Sequence, residues 1–215
     1  MKNLLTALTL LAFTFVGIEG CVGAKKNSHP VVVLETSEGN IELELFPEVA
    51  PKHVENFLAL VNKGFYNNVI FHRVIDGFMI QGGDPTGTGM GDSGTKLQAE
   101  FNDSLHHAGT LSMARAQDPN SASCQFFICL APQPRLDHQY TVFGKTVSGF
   151  DVVQKIGKTP TSGNLQRIMT DSTWQAELLK MKNDGAADVT VMSNGVVTPD
   201  RPLKKVVINK AYEKK

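Results

Sequence analysis

The 215-residue sequence predicts a mainly β protein that folds as a closed antiparallel barrel of about eight strands with two capping helices. Three observations favour this fold. Short apolar runs separated by turn-forming residues recur along the chain, as is typical of strands. Two segments carry apolar residues at helical spacing, and a two-sheet sandwich would leave those helices without a natural place. Segment 161–198 interrupts this pattern and is predicted to be an insertion.

The first strands and the first helix follow from the opening segments of the folded part. Val31–Leu34 is an apolar run, and Ile41–Leu45 alternates apolar residues with glutamates, as expected for a strand with one wet face. The turn residues 38–40 join them, so these two runs are predicted to form a hairpin. A helix then begins at Pro51 and ends near Gly64, with its apolar stripe at Val54, Phe57, Leu58 and Val61.

The remaining elements follow in the same way. A second helix is indicated by helical spacing of apolar residues over Phe150–Ile156. The insertion is predicted to hold an amphipathic helix around Trp174 and a small hairpin around Asn194-Gly195. Residues 211–215 are predicted to be a polar tail. The other strands are predicted at Val69–Ile75, Phe78–Gln81, Thr110–Met113, Phe126–Leu130, Thr141–Phe143 and Leu203–Ile208.

The first twenty residues are predicted to be an export signal. Lys2 supplies a positive start, and the uncharged run 3–18 is shorter than the roughly 20 residues of a membrane span. Ile18–Cys21 resembles a bacterial lipobox, although Glu19 is unusual there. Cys21 is therefore a candidate lipidation site, with plain secretion or a short retained anchor as alternatives. Residues 21–30 are predicted to be a tether.

Composition limits the possible partners. The chain has 21 Lys plus Arg and 21 Asp plus Glu, a formal net charge of zero. Phosphate binding needs a basic excess, which argues against nucleic acid or acidic lipid as the main partner. Contact with a membrane is expected only through a lipid on Cys21. The three cysteines do not make a disulfide framework.

Two blocks carry the chemistry. Phe71–Asp84 sets Arg73 and Gln81 among apolar residues, on two strand-like runs joined by Asp76-Gly77. The second block, Gln125–Ile128, places another glutamine beside two phenylalanines. Together they suit a half-apolar groove that grips a peptide carbonyl and a flat apolar ring.

These blocks resemble the cyclophilins, a family of peptidyl-prolyl cis-trans isomerases. The resemblance covers Val31–Pro160 and Arg201–Ile208, and Leu136–Lys145 resembles the segment that closes the family's pocket. It implies a cyclophilin-like domain over residues 31–210 that acts on X-Pro bonds. Such a reaction needs no cofactor and no metal, because amide rotation requires neither nucleophile nor redox centre. Tyr140, where many eukaryotic members have His, looks like the bacterial branch.

The resemblance also implies roles for individual residues. Arg73 and Gln81 match catalytic positions, although a surface salt-bridge arginine and a surface amide are the alternatives. Arg115 replaces a common Asn, and Arg135 replaces a Trp that is a major cyclosporin contact, so cyclosporin sensitivity is in doubt. The expected substrate-binding residues are Phe78, Met79, Ala114, Arg115, Gln125, Phe127, Leu136 and Tyr140. Without the family pattern, the apolar residues among these would be predicted to belong to the hydrophobic core.

The sequence thus predicts an isomerase of the bacterial cell envelope, periplasmic or lipid-anchored, that assists the folding of exported proteins. A secreted form is the alternative location. We expect a monomer whose partners are proline-containing polypeptides. Two other functions stay open: a non-catalytic proline-peptide-binding module whose insertion recruits a partner, and a scaffold lipoprotein with an idle pocket.

Overall fold

The computed structural model describes residues 29–162, Ala176 and 200–215. The predicted export signal, most of the tether and, apart from Thr161, Ser162 and Ala176, the predicted insertion lie outside these ranges. Two 3-10 turns, Pro119–Ser121 and Pro134–Leu136, accompany the main elements. In chain order these are β1 (Val31–Thr36), β2 (Gly39–Leu45), α1 (Pro51–Asn62), β3 (Val69–Ile70), β4 (Arg73–Ile75), β5 (Met79–Gly82), β6 (Thr110–Met113), β7 (Phe126–Cys129), β8 (Val142–Ser148), α2 (Phe150–Gly157) and β9 (Val207–Glu213).

The strands form one antiparallel sheet of nine, in the order β3-β9-β1-β2-β8-β6-β7-β5-β4. The first and last strands of this order are joined in the chain by Phe71 and His72 alone, so the sheet curls back on itself. The predicted barrel with two helices is therefore confirmed. One strand was expected over Val69–Ile75, but β3 pairs with β9 while β4 pairs with β5, so the chain changes its partner strand at Phe71 and His72.

The alternation in the second strand has its expected structural result. Ile41, Leu43 and Leu45 are fully buried and face the interior of the barrel. Glu42 and Glu44 lie on the other face, where Glu42 pairs with Lys214, just after β9, and Glu44 pairs with Lys145 of β8. β1 and β2 pair across a two-residue turn, as predicted for this hairpin.

The two helices supply aromatic and branched side chains to the core. Phe57 of α1 meets Phe126 and Phe143 edge-on, with ring centroids 5.5 and 5.3 Å away. Val153 and Ile156 of α2 are completely buried. The helical spacing seen in the sequence therefore marks the faces that pack onto the sheet.

The last strand lies further along the chain than predicted. It was expected over 203–208, but it covers Val207–Glu213 and so takes in residues that the sequence assigned to a polar tail of 211–215. Ala211 is buried, and its N–H donates to the Asn67 side chain at 3.0 Å. Leu203 is also buried, but its N–H donates to the carbonyl of Pro160, which does not belong to a strand.

The residues just before β1 are attached to the barrel. The ring nitrogens of His29 lie 3.2 Å from the carboxylates of Glu44 and Glu48. The predicted tether therefore ends in contact with the folded domain. Within the described ranges, no helix combines the length and apolarity needed to cross a membrane.

The two sides of the predicted insertion lie next to each other. Thr161 forms an antiparallel bridge with Pro202. The N–H of Ser162 donates to the carbonyl of Arg201 at 3.0 Å. The barrel chain thus leaves and re-enters at adjacent points.

Candidate functional site

The hairpin of β4 and β5 sets the two polar side chains of the first sequence block opposite each other. Its turn contains Gly77 at φ +71°, a left-handed conformation that suits glycine. Arg73 and Gln81 are directly paired residues, so their side chains share one face of the sheet. The Arg73 guanidinium donates from Nη1 to Oε1 of Gln81 at 3.4 Å. Its Nε also lies 3.7 Å from the carboxylate of Asp200.

A chain of side-chain amides continues from this pair. The Nε2 of Gln81 donates to Oε1 of Gln125 at 3.0 Å. The Nε2 of Gln125 donates in turn to the carbonyls of Gly89 and Gly91, at 3.0 and 2.9 Å. Since these carbonyls only accept, they fix which way both amides point, and an oxygen of Gln81 is left facing Arg73.

The loop that offers these carbonyls is organised by a buried carboxylate. Asp84 is fully buried and accepts backbone hydrogen bonds from Thr86, Gly89 and Gly91. Burial raises the pKa of Asp84, but the hydrogen bonds from Thr86, Gly91 and Gly89 outweigh it, so the pKa is lowered overall. The glycine-rich loop of residues 82–94 therefore has an anchored path beside the site.

A pocket of about 260 Å³ with polar and apolar sides lies beside the guanidinium. Met79 and Phe127, only 2% and 5% exposed, form a small cluster separate from the main core. Tyr140 meets Phe127 edge-on at 5.8 Å between ring centroids. Phe78, Ala114 and Leu136 complete the apolar lining. The pocket is thus a socket for a flat apolar group next to a cation.

The pocket floor rests on a buried histidine. The His106 ring stacks on Phe127 at 6.0 Å with an interplanar angle of 10°. Its Nδ1 is 2.8 Å from the carboxylate of Asp137, and its Nε2 is 3.1 Å from the Ser112 hydroxyl. Burial lowers the pKa of His106, with Asp137 acting in the opposite direction. These contacts hold the Phe127 ring from below.

Two further arginines lie at the pocket. The Arg115 guanidinium carbon is 4.6 Å from the centre of the Tyr140 ring. The Arg135 guanidinium carbon is 5.1 Å from the centre of the Phe78 ring. Arg135 therefore stands where the family resemblance placed an indole, and it stacks on a pocket ring as a planar cation.

The structure brings most of the predicted site residues together. Nine of the ten line the pocket: Arg73, Phe78, Met79, Gln81, Ala114, Arg115, Phe127, Leu136 and Tyr140. Gln125 lines a neighbouring recess of about 340 Å³ that shares Gln81, Gly89, Ala114 and Arg115 with the pocket. Cys21 lies outside the described residues.

Sequence reasoning missed His72, Gly89 and His106. His72 and Gly89 line the pocket, and His106 supports its floor. His72 adjoins Arg73 in the first block, so its position was the available signal. For Gly89, the available signal was indirect: the side-chain amide of Gln125 needs hydrogen-bond acceptors, and backbone carbonyls such as that of Gly89 can supply them. For His106, nothing in the sequence indicated that its ring stacks on Phe127.

The two cysteines of the barrel are buried free thiols. Burial raises the pKa of Cys124 to about 11 and that of Cys129 to about 12, so both are protonated at neutral pH. Among residues 29–162, 176 and 200–215, no group of three or more His, Cys, Asp and Glu side chains is placed to hold a metal ion.

The comparisons with known proteins agree with this geometry. Residues 31–176 match the family model for cyclophilin type peptidyl-prolyl cis-trans isomerases. Peptidyl-prolyl cis-trans isomerase ppi1 of Schizosaccharomyces pombe is 51% identical over 138 residues, which cover 62% of this chain and 88% of that protein. The isomerase CYP18-2 of Arabidopsis thaliana is 46% identical over 141 residues, covering 63% of this chain and 85% of that protein.

A solved structure is similar as well. A cyclophilin type peptidyl-prolyl cis-trans isomerase from Cryptosporidium parvum superposes with a TM-score of 0.68 at 30% identity. The match covers 87% of this chain and 98% of that one. The same protein, crystallised in the presence of the dipeptide Ala-Pro, gives a TM-score of 0.67. These relatives are eukaryotic, so the bacterial branch stays a prediction. The chain belongs to the cyclophilin family of peptidyl-prolyl cis-trans isomerases.

Proposed function

We propose that this chain isomerises X-Pro bonds in exported polypeptides, with Arg73 as the catalytic cation and the adjoining socket as the proline site. The observation that carries the proposal is the Arg73–Gln81 pair at the edge of an apolar pocket. The Ala-Pro dipeptide named for the Cryptosporidium structure supports a prolyl ligand.

The proposed role of Arg73 follows from the electronic structure of the amide. Resonance raises a rotation barrier of about 18–20 kcal/mol. As the bond twists, the lone pair localises on the prolyl nitrogen, and a cationic donor stabilises that form more than either planar form. Arg73 stays charged at all relevant pH values. Gln81 and Asp200 hold its head, which limits the reorganisation needed during rotation.

The other site residues are proposed to bind the substrate. Phe127, Met79 and Leu136 would seat the prolyl ring, because they offer apolar area at the base of the pocket. Gln125 uses its amide hydrogens on Gly89 and Gly91, so we assign it a positioning role for Gln81 and the loop. The backbone of Ala114 borders the same groove, where a substrate chain would pass.

The proposed location is the bacterial cell envelope, with the protein lipid-anchored at Cys21 and acting as a monomer. Support comes from the sequence: Lys2, the uncharged run 3–18 and the lipobox-like Ile18–Cys21. His29 ends the tether against the barrel, which leaves residues 22–28 as the spacer to an anchor. Exported proteins in that compartment would then be the natural substrates.

A direct assay tests the proposed activity. Residues 22–215 are expected to accelerate cis-trans exchange in a proline tetrapeptide and to speed the proline-limited refolding of an exported protein. The uncatalysed exchange takes tens of seconds or more, so catalysis is readily resolved. Rates equal to the protein-free background in both assays would instead favour a binding module or scaffold.

Labelling tests the anchor. Full-length protein expressed in a bacterium with radiolabelled palmitate is expected to carry label and to sediment with membranes. Cys21→Ser is expected to lose both, because the modified thiol is gone. Cys129→Ser is the matched control, since that thiol is buried in β7. Equal labelling of the Cys21→Ser and wild-type proteins would rule out lipidation at this cysteine.

A further inference from the structure

Two guanidinium groups are held on the rings that line the prolyl pocket. Arg115 stacks on Tyr140, with 4.6 Å from its guanidinium carbon to the ring centre, and Arg135 stacks on Phe78 at 5.1 Å. Each contact keeps a planar cation near the pocket. Because the guanidinium is already partly ordered by the ring, binding a ligand would cost it little conformational entropy.

Neither head has a carboxylate partner among the residues that the structure describes. Arg115 donates only to backbone carbonyls, those of Ala116, Gln117 and Gln139. For Arg135, the side-chain contact is the ring of Phe78. Other basic side chains of the barrel have acidic partners, for example Lys145 with Glu44 and Lys214 with Glu42. The carbonyls take four of the five N–H groups of Arg115 but leave its positive charge without a carboxylate, so both arginines can attract an anion by charge.

Three acidic side chains beside the pocket already have partners, and one of them, Asp200, lies 3.7 Å from Nε of Arg73. Asp92, in the neighbouring recess, lies 2.7 Å from the ammonium of Lys96. Asp137, under the pocket floor, accepts from His106. The pocket lining itself contains Arg73 and Arg115 and, within the described chain, no carboxylate. A concave site lined by one sign of charge attracts the opposite sign.

We propose, on the basis of the proposed function, that this pocket selects prolyl peptides with a carboxylate side chain within two residues of the proline. Arg115 and Arg135 are the specificity-determining residues. Arg115 lies one ring away from the floor, because its partner Tyr140 contacts Phe127 at 5.8 Å. An extended peptide advances about 3.3–3.6 Å per residue, so an acidic side chain one or two residues from the proline can reach Arg115 when the prolyl ring lies on Phe127.

A peptide series tests the selectivity. Proline pentapeptides would differ at one position only, two or one residues before the proline or one or two after it, as Glu, Gln or Lys. We expect kcat/KM for Glu to exceed that for the isosteric Gln by about three- to fivefold at one position or more. Lys should fall below Gln. In 0.5 M NaCl the ratio should shrink towards one, because salt screens exposed charges.

Variants assign the effect to the two arginines. Arg115→Gln and Arg135→Gln are each expected to lower the Glu/Gln ratio by about twofold, and the double variant should abolish the preference. Lys210→Gln is the matched control. It removes one positive charge that also stacks on a ring, that of Tyr212 at 5.1 Å, but on β9, which contributes no residue to the pocket.

Calorimetric binding of the same peptides gives a second readout. A wild-type Glu/Gln ratio below about 1.5 at every position, in both rate and affinity, would overturn the selectivity while leaving the isomerase intact. A preference that survives in the double variant would overturn its assignment to the arginines. If no peptide were isomerised, the proposed function would fail, and the affinity ratio alone would decide the selectivity.

Discussion

Arg73→Ala is expected to lower kcat/KM for X-Pro isomerisation by about 100- to 1,000-fold, the usual cost of removing a donor that acts on developing charge. The loss should appear mainly in kcat, because the cation is needed most when the prolyl nitrogen becomes pyramidal. Protease-coupled or NMR exchange measurements on a proline tetrapeptide would give both constants.

Two further measurements separate this role from a structural one. The Arg73 side chain is 43% exposed, so its truncation should leave the thermal midpoint of unfolding nearly unchanged. Arg73→Lys keeps the charge but loses the planar fork, and it should recover only part of the activity. Catalysis by the alanine variant within about threefold of wild type would remove Arg73 from the mechanism.

Acidification is expected to destabilise the protein through His72. Burial, together with Arg201 and Arg73, lowers the pKa of His72 to about 4, while Asp84 acts in the opposite direction. In the unfolded chain the same imidazole takes up a proton near pH 6.5. Between pH 6.5 and pH 4 the unfolded state therefore binds more protons than the folded state does. The free energy of unfolding decreases as the pH is lowered through this range. His72 alone should account for about 2 kcal/mol at pH 5 and about 3 kcal/mol at pH 4.

Urea titrations at pH 7.5, 6.0 and 5.0 would measure this decline. His72→Leu should flatten it, because the variant has no imidazole to protonate on unfolding. His107→Gln, at an exposed histidine, is the control and should keep the wild-type slope. His53 and His106 also have pKa values lowered mainly by burial, so a shallower decline should persist in His72→Leu. An unfolding free energy that is constant from pH 7.5 to pH 5 would contradict the buried, neutral state of His72.

The sequence predicted the barrel because local signals and tertiary packing agree. Alternation over Ile41–Leu45 and helical spacing around Phe57 each mark a face that is buried in the structure. It predicted the β4–β5 hairpin because Asp76-Gly77 is strong turn chemistry between two apolar runs. The pairing of Arg73 with Gln81 follows from that turn, and the register is now explicit.

The parts that sequence reasoning missed depend on contacts between distant segments. β9 ends at Glu213 because its backbone pairs with β1, and the polar residues 213–215 gave no sign of it. The stacking of His106 beneath Phe127 joins residues 21 positions apart through Asp137 and Ser112. The anchored path of the glycine-rich loop depends on Asp84, which looked like the end of a motif rather than the centre of a hydrogen-bond network.

The closure of the sheet has a consequence for a protein that binds proline-containing peptides. Exposed strand borders act as templates on which other polypeptides add and aggregate. Here the terminal strands β3 and β4 are two and three residues long and run into each other through Phe71 and His72. Little unpaired backbone is left to recruit a client by strand addition. A proline-containing segment can thus bind in the pocket through its side chains, while the short terminal strands offer little backbone for strand addition and aggregation.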